Sequence, residues 1–137
     1  MILLETDLKN AALRGVALGV ARADDGKILY ATPLLESMFG YTMRGALMND
    51  KHVEDLVPME ARNRHIQHRA NYAAQPSTRP MGIGLNAHGL RADGTLFPVF
   101  ICLYSEVISN SVCIVFVVID MSALIQSPIA LDKMNIP

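Results

Sequence analysis

Three apolar runs separated by two tight-turn signals occupy residues 81 to 121, and they constrain the fold more than any other part of the chain. Asp93-Gly94 separates the first run (81 to 91) from the second (95 to 106), and Ser109-Asn110-Ser111 separates the second from the third (111 to 121). Such residues accept the backbone conformations of hairpin turns, so three consecutive antiparallel strands are predicted. In the second run Val99, Ile101 and Leu103 alternate with Phe100, Cys102 and Tyr104. Successive strand residues point to opposite faces. In the third run Cys113, Val115, Val117 and Ile119 extend the face of Phe100, Cys102 and Tyr104. Both faces of the sheet are therefore apolar, and each needs a cover.

Upstream, "GVALGVAR" and "KILYA" read as two short strands joined by "ADDG", whose Asp25-Gly26 suits a hairpin turn. Thr32 and Pro33 then start a helix as N-cap and first helical residue, and Gly40 ends it. One or two short helices are expected over residues 42 to 57. Residues 58 to 74, "PMEARNRHIQHRANYAA", carry no internal Gly or Pro and predict the longest helix, with Pro58 at its start. On it Met59, Ile66, Ala70 and Ala73 share one face, and Ala61, His65, His68 and Tyr72 share another; periodicity leaves open which meets the sheet. At the N-terminus Thr6 can cap a helix that places Leu4, Leu8, Ala11 and Ala12 together. Two strands, several helices and three strands in that order make an α+β domain with an antiparallel sheet. The expected division is an N-terminal capping helix over 1–13, a single domain over 14–122 and a tail over 123–137.

Twelve Lys and Arg against thirteen Asp and Glu give a net charge of -1, which lacks the basic footprint of a nucleic-acid binder. No apolar stretch approaches the length of a membrane span, and "MILLETDLKN" has acids where a signal peptide would be basic, so a cytoplasmic location is expected. Cys102 and Cys113 are too few for a disulfide framework and read as reduced thiols on strands.

Four stretches resemble the PAS family of sensory domains. "GKILYATPLLESMFGYT" is similar to the family's second strand and first helix, with Thr32 where Asn is usual. "VEDLVP" resembles the segment leading into the long helix. "LRADGTLFPVFICL" resembles the Asp-Gly hairpin followed by Phe-Pro-Val, and "VFVVIDMS" the last strand with its Asp-Ile-Thr ending. The resemblance covers about residues 12 to 122. It implies a five-stranded antiparallel sheet with the short helices and the long helix on one face and the N-terminal helix on the other. It further implies a small pocket under the helices, a bacterial signalling role, dimerisation, and an output domain such as a histidine kinase or diguanylate cyclase in cis or in trans. Residues assigned to the pocket are Met38, Leu56, His65, Ile83, Leu85, Val99, Ile101 and Leu103. Leu4, Leu8, Phe100, Cys102, Tyr104, Val117 and Ile119 are assigned to a homodimer interface on the opposite face.

The cofactor is unknown at this level. Alignment from Pro58 to Gly89 with the rhizobial haem-based oxygen sensors of the same family sets His65 on the proximal iron ligand and "MGIGL" on the distal strand. Neutral imidazole suits iron. Leu85, however, stands where the distal arginine belongs, Ile66 and His68 replace an Asp and a Tyr, and Asn71 replaces a basic residue, although Arg79 can supply a charge. Haem is thus an alternative, with His65 as its metal ligand. Zinc lacks a four-ligand set near His65 and His68. The flavin-binding branch carries Asn-Cys-Arg-Phe beside the pocket, and "DKHVEDLVP" has no such Cys. "GIG" at 82 to 84 lacks the spacing of a phosphate loop. The inward strand positions are all apolar, which offers no acid or base, so the chain reads as a sensor and not as an enzyme. Two readings of that sensor stay open: a ligand-binding domain, and a ligand-free interaction module. After "IDMS", the tail carries Pro128 where a coiled-coil connector would continue, so the chain is either a fragment or a stand-alone module.

Overall fold

The structure is a computed structural model, and it describes residues 15–74, 79–81 and 87–125 of the chain. Its elements in order are β1 (Leu18–Arg22), β2 (Ile28–Ala31), α1 (Pro33–Met38), single 3-10 turns at Ala46–Met48, Val53–Leu56 and Met59–Ala61, α2 (Arg62–Ala74), β3 (Arg79–Met81), β4 (His88–Leu90), β5 (Leu96–Ile108), β6 (Ser111–Asp120) and α3 (Ser122–Ile125). The expected N-terminal helix, with Leu4 and Leu8, and the tail beyond Ile125 lie outside the described residues.

One antiparallel sheet runs in the order β2-β1-β6-β5-β3. β5 and β6 form its centre, paired from Val99↔Asp120 to Ile108↔Ser111. Ser109 and Asn110 both take positive φ, 51° and 65°, as a two-residue hairpin that follows the sheet twist requires. The sequence predicts one strand over 81 to 91, but the edge position is filled by two. Met81 pairs with Ile101 and His88 with Pro98. The first two are seven positions apart and their partners only three, so one continuous ladder cannot hold both.

Local chemistry sets the helical side. Thr32 is fully buried and its hydroxyl serves three groups: it donates to Val16 O (2.6 Å) and accepts from Leu18 N (3.0 Å) and Leu35 N (3.3 Å). One residue thereby caps α1 and ties its start to the entry of β1. Glu36, also buried, accepts from Gly45 N and Leu47 N at 2.9 Å each and folds the 43–48 segment back onto α1.

The two sheet faces carry separate apolar clusters. Ala21, Ile28, Leu35, Phe39, Leu47, Phe97, Val99 and Val118 are among the residues that fill the side under α1 and the 3-10 turns. Phe39 and Phe97 meet edge to face at 5.0 Å across Gly89, where a Cβ would stand 2.8 Å from both rings. Leu18, Val20, Cys113 and Val115 are buried on the other face, with Tyr30, Tyr104, Ile108 and Val117 packed beside them. No helix among the described residues is long and apolar enough to cross a membrane.

Candidate functional site

A cavity of about 500 Å³ lies between the inner face of the sheet and the start of α2. That volume falls in the usual range of small-molecule sites, roughly 300 to 1,000 Å³. Its floor is the inward alternation of two strands: Val99, Ile101 and Leu103 from β5, and Ile114, Phe116 and Val118 from β6. Leu56 and Val57 close one side, and Ala87, His88 and Gly89 border another. Ala61, Arg64, His65, His68 and Arg69 come from the helical side.

An ion-pair cluster anchors this helix. His52 bridges Lys27 beside β2, and Val53 N donates to Gly26 O (2.9 Å). The turn that follows therefore sets Glu54 against the β1–β2 connection. Glu54 is 9% exposed and accepts from Arg69 at both oxygens, Nε to Oε2 and Nη2 to Oε1, each 3.1 Å. Arg69, 7% exposed, spends its third nitrogen on the carbonyls of Ala23 (3.0 Å) and Asp24 (2.6 Å). His65 Nδ1 meets Glu54 Oε2 at 2.6 Å. Burial works against the Glu54 charge, but the hydrogen bonds from His65 and Arg69 outweigh it and hold the carboxyl below its ordinary range. An ionised carboxylate only accepts, so Nδ1 carries the proton and donates it to Glu54, and Nε2 is the ring nitrogen left for other partners. Gly26 completes the fit with φ at +78°: a Cβ there would stand 2.7 Å from Glu54 Oε1 and 2.9 Å from Arg69 Nε.

Of the residues assigned to the pocket from sequence, Leu56, His65, Val99, Ile101 and Leu103 border the cavity. Met38 does not; it is half-buried and packs against the inner core cluster. Ile83 and Leu85 lie outside the described residues. On the opposite face Phe100, Tyr104 and Val117 are half-buried, Cys102 is exposed and Ile119 is 50% exposed. Cross-strand pairing puts Phe100 opposite Ile119 and Cys102 opposite Val117. Both thiols are on strand positions that point away from the cavity, so neither reaches a flavin seated there. Among the described residues no group of three or more His, Cys, Asp and Glu is arranged to hold a metal ion.

Helix α2 and the 3-10 turn before it meet the cavity with the face of Ala61, His65 and His68. The apolar alternative is outside: Met59 is 71% and Ile66 43% exposed. Glu54 and Arg69 went unassigned at the sequence level. The available signal was Arg69 one turn beyond His65, with an acid in the segment before the helix, but only the chain path shows that Glu54 is buried between them.

No protein-family model matches the chain, and no curated protein matches it. Solved structures do. The PAS domain of a Desulfitobacterium hafniense protein superposes with a TM-score of 0.63 at 17% identity, over 77% of this chain and 92% of that one. The PAS domain of the fruit-fly ELK potassium channel gives 0.61 at 13% identity, over 89% and 99%. The LOV domain of a blue-light activated histidine kinase from Erythrobacter litoralis gives 0.54 at 19% identity, over 78% and 96%. At these identities the likeness is one of fold, and that fold is the PAS fold.

Proposed function

We propose that this chain, built on a PAS fold, is a sensory signalling domain and not an enzyme. It holds a small, mainly apolar ligand between α2 and the sheet. The observation that carries this reading is the cavity of about 500 Å³ with an apolar floor from β5 and β6. An occupied cavity favours one arrangement of helix and sheet over another, and the population shift is passed to an output domain in cis or in trans, such as a histidine kinase or a diguanylate cyclase. The part-exposed apolar end of the outer face, around Phe100, Cys102 and Ile119, supports a homodimer contact there. We place the protein in the bacterial cytoplasm.

Mass spectrometry of small molecules released on denaturing the purified protein tests the ligand. A stoichiometric apolar compound is expected. If none is released, and Leu103→Trp, which fills the cavity, leaves signalling intact, the alternative of a ligand-free interaction module holds instead.

A second reading, a haem-based gas sensor, is favoured by one observation: the His65 ring borders the cavity with Nδ1 committed to Glu54, the arrangement that orients a metal-binding imidazole. His65 would hold the iron through Nε2, and the iron would supply gas binding. Haem reconstitution tests it. A Soret band that His65→Ala abolishes is required; without one the reading fails.

A further inference from the structure

The cavity has a polar side that an apolar ligand leaves unused. Two of its basic side chains on the helical side are already occupied. Arg69 is held by Glu54, Ala23 and Asp24, and His65 gives Nδ1 to Glu54. Three basic side chains are not. Arg64, His68 and His88 border the cavity, are exposed, and have no hydrogen bond or ion pair among the described residues. Arg64 and His68 are one turn apart on α2, so they stand in one row, their Cβ atoms about 5 to 6 Å apart. His88 faces the same space from β4. Glu60 is the one acid among the described lining residues; it precedes Arg64 by a turn without pairing to it.

We propose that the ligand is an amphipathic carboxylate, with an apolar chain or ring on the β5–β6 floor and its carboxylate at the mouth between Arg64 and His68. The proposal rests on the ligand-binding reading above. An arginine fork matches a carboxylate in two-point geometry, and at the mouth the head group keeps part of its hydration while the body leaves water. An amphipathic cation would meet Arg64 instead of a partner. At about 30 Å³ per water the cavity has room for roughly 17 waters, which is the scale of a medium-chain fatty acid or a substituted aromatic acid.

The test is calorimetric titration of the full chain, freed of bound small molecules, with decanoate, decan-1-ol and decyltrimethylammonium. Decanoate is expected to bind at least about tenfold more tightly than the alcohol, a difference of about 1.4 kcal/mol, and the cation not at all. Arg64→Gln with His68→Gln should lower decanoate affinity about tenfold and leave the alcohol unchanged, while Glu60→Gln should strengthen decanoate. All three side chains are exposed, so circular dichroism should show an unchanged fold. Equal affinity for acid and alcohol, or no effect of the double substitution, overturns the carboxylate assignment and leaves the cavity reading standing. If none of the three probes binds, the proposal is overturned together with the cavity reading it rests on.

Discussion

Arg69 grips Glu54 at both carboxylate oxygens from 15 residues away in sequence and, with its remaining nitrogen, closes over the β1–β2 turn. This pair decides how α2 is rotated on the sheet, and the geometry of the cavity depends on that rotation. Breaking it should be costly. Arg69→Leu leaves a buried carboxylate with half of its partners and is expected to destabilise by about 3 kcal/mol. The double variant Glu54→Leu/Arg69→Leu should recover part of that loss. Urea unfolding of the three proteins gives the coupling, and an unchanged midpoint for Arg69→Leu would remove the pair from this role.

The same pair sets a pH dependence. The Glu54 carboxyl lies below its ordinary value in the folded protein, so the folded state holds fewer protons than the unfolded one as the pH drops. Its stabilisation is complete above the unfolded value of about 4.3 and is lost as the pH falls through the lower, folded value. Glu54→Gln should therefore flatten the acid limb of a stability-against-pH curve below about pH 4.3 relative to wild type. Parallel curves would sink the assignment. Asp25 is also lowered, by its hydrogen bonds to Arg22 and the Lys27 amide, but this pair is on the surface, so its share should fade with added salt.

Gly26 and Gly94 separate two costs that a substitution can incur. Both have positive φ, +78° and +90°. A Cβ on Gly94 meets nothing within 4 Å, whereas one on Gly26 runs into the Glu54–Arg69 pair. Gly94→Ala should cost about 1 to 2 kcal/mol from the backbone alone. Gly26→Ala should cost clearly more, because the ion pair must shift as well. Thermal melts of the two variants side by side check this, and equal losses would contradict it.

The two thiols probe the outer face. Cys113 is fully buried, and burial pushes its thiol up, so it should react with a thiol reagent only on unfolding. Cys102 is exposed and should react in the native protein. If Phe100, Cys102 and Ile119 form a homodimer contact, Cys102 labelling should slow as protein concentration rises. A rate independent of concentration, together with a monomer in sedimentation, would rule the contact out.

Much of the architecture was legible in the sequence because it rests on neighbours along the chain. Ser109-Asn110 accepts the positive φ of a hairpin, Thr32-Pro33 starts a helix, and a strict alternation divides Val99, Ile101 and Leu103 from Phe100, Cys102 and Tyr104. Each is a matter of one or two backbone angles or of a two-residue period. The edge of the sheet was not legible, since an apolar run of strand length does not record that its ends pair in different registers with β5. Nor was the rotation of α2. Its composition offers an apolar face and a basic one, and hydrophobicity alone would have turned Met59 and Ile66 inward. The tertiary structure decided otherwise because Glu54 is buried behind the β1–β2 turn, where an unpaired charge is far more costly than two exposed apolar side chains. Arg69 and His65 had to face it, and they brought Arg64 and His68 to the cavity with them.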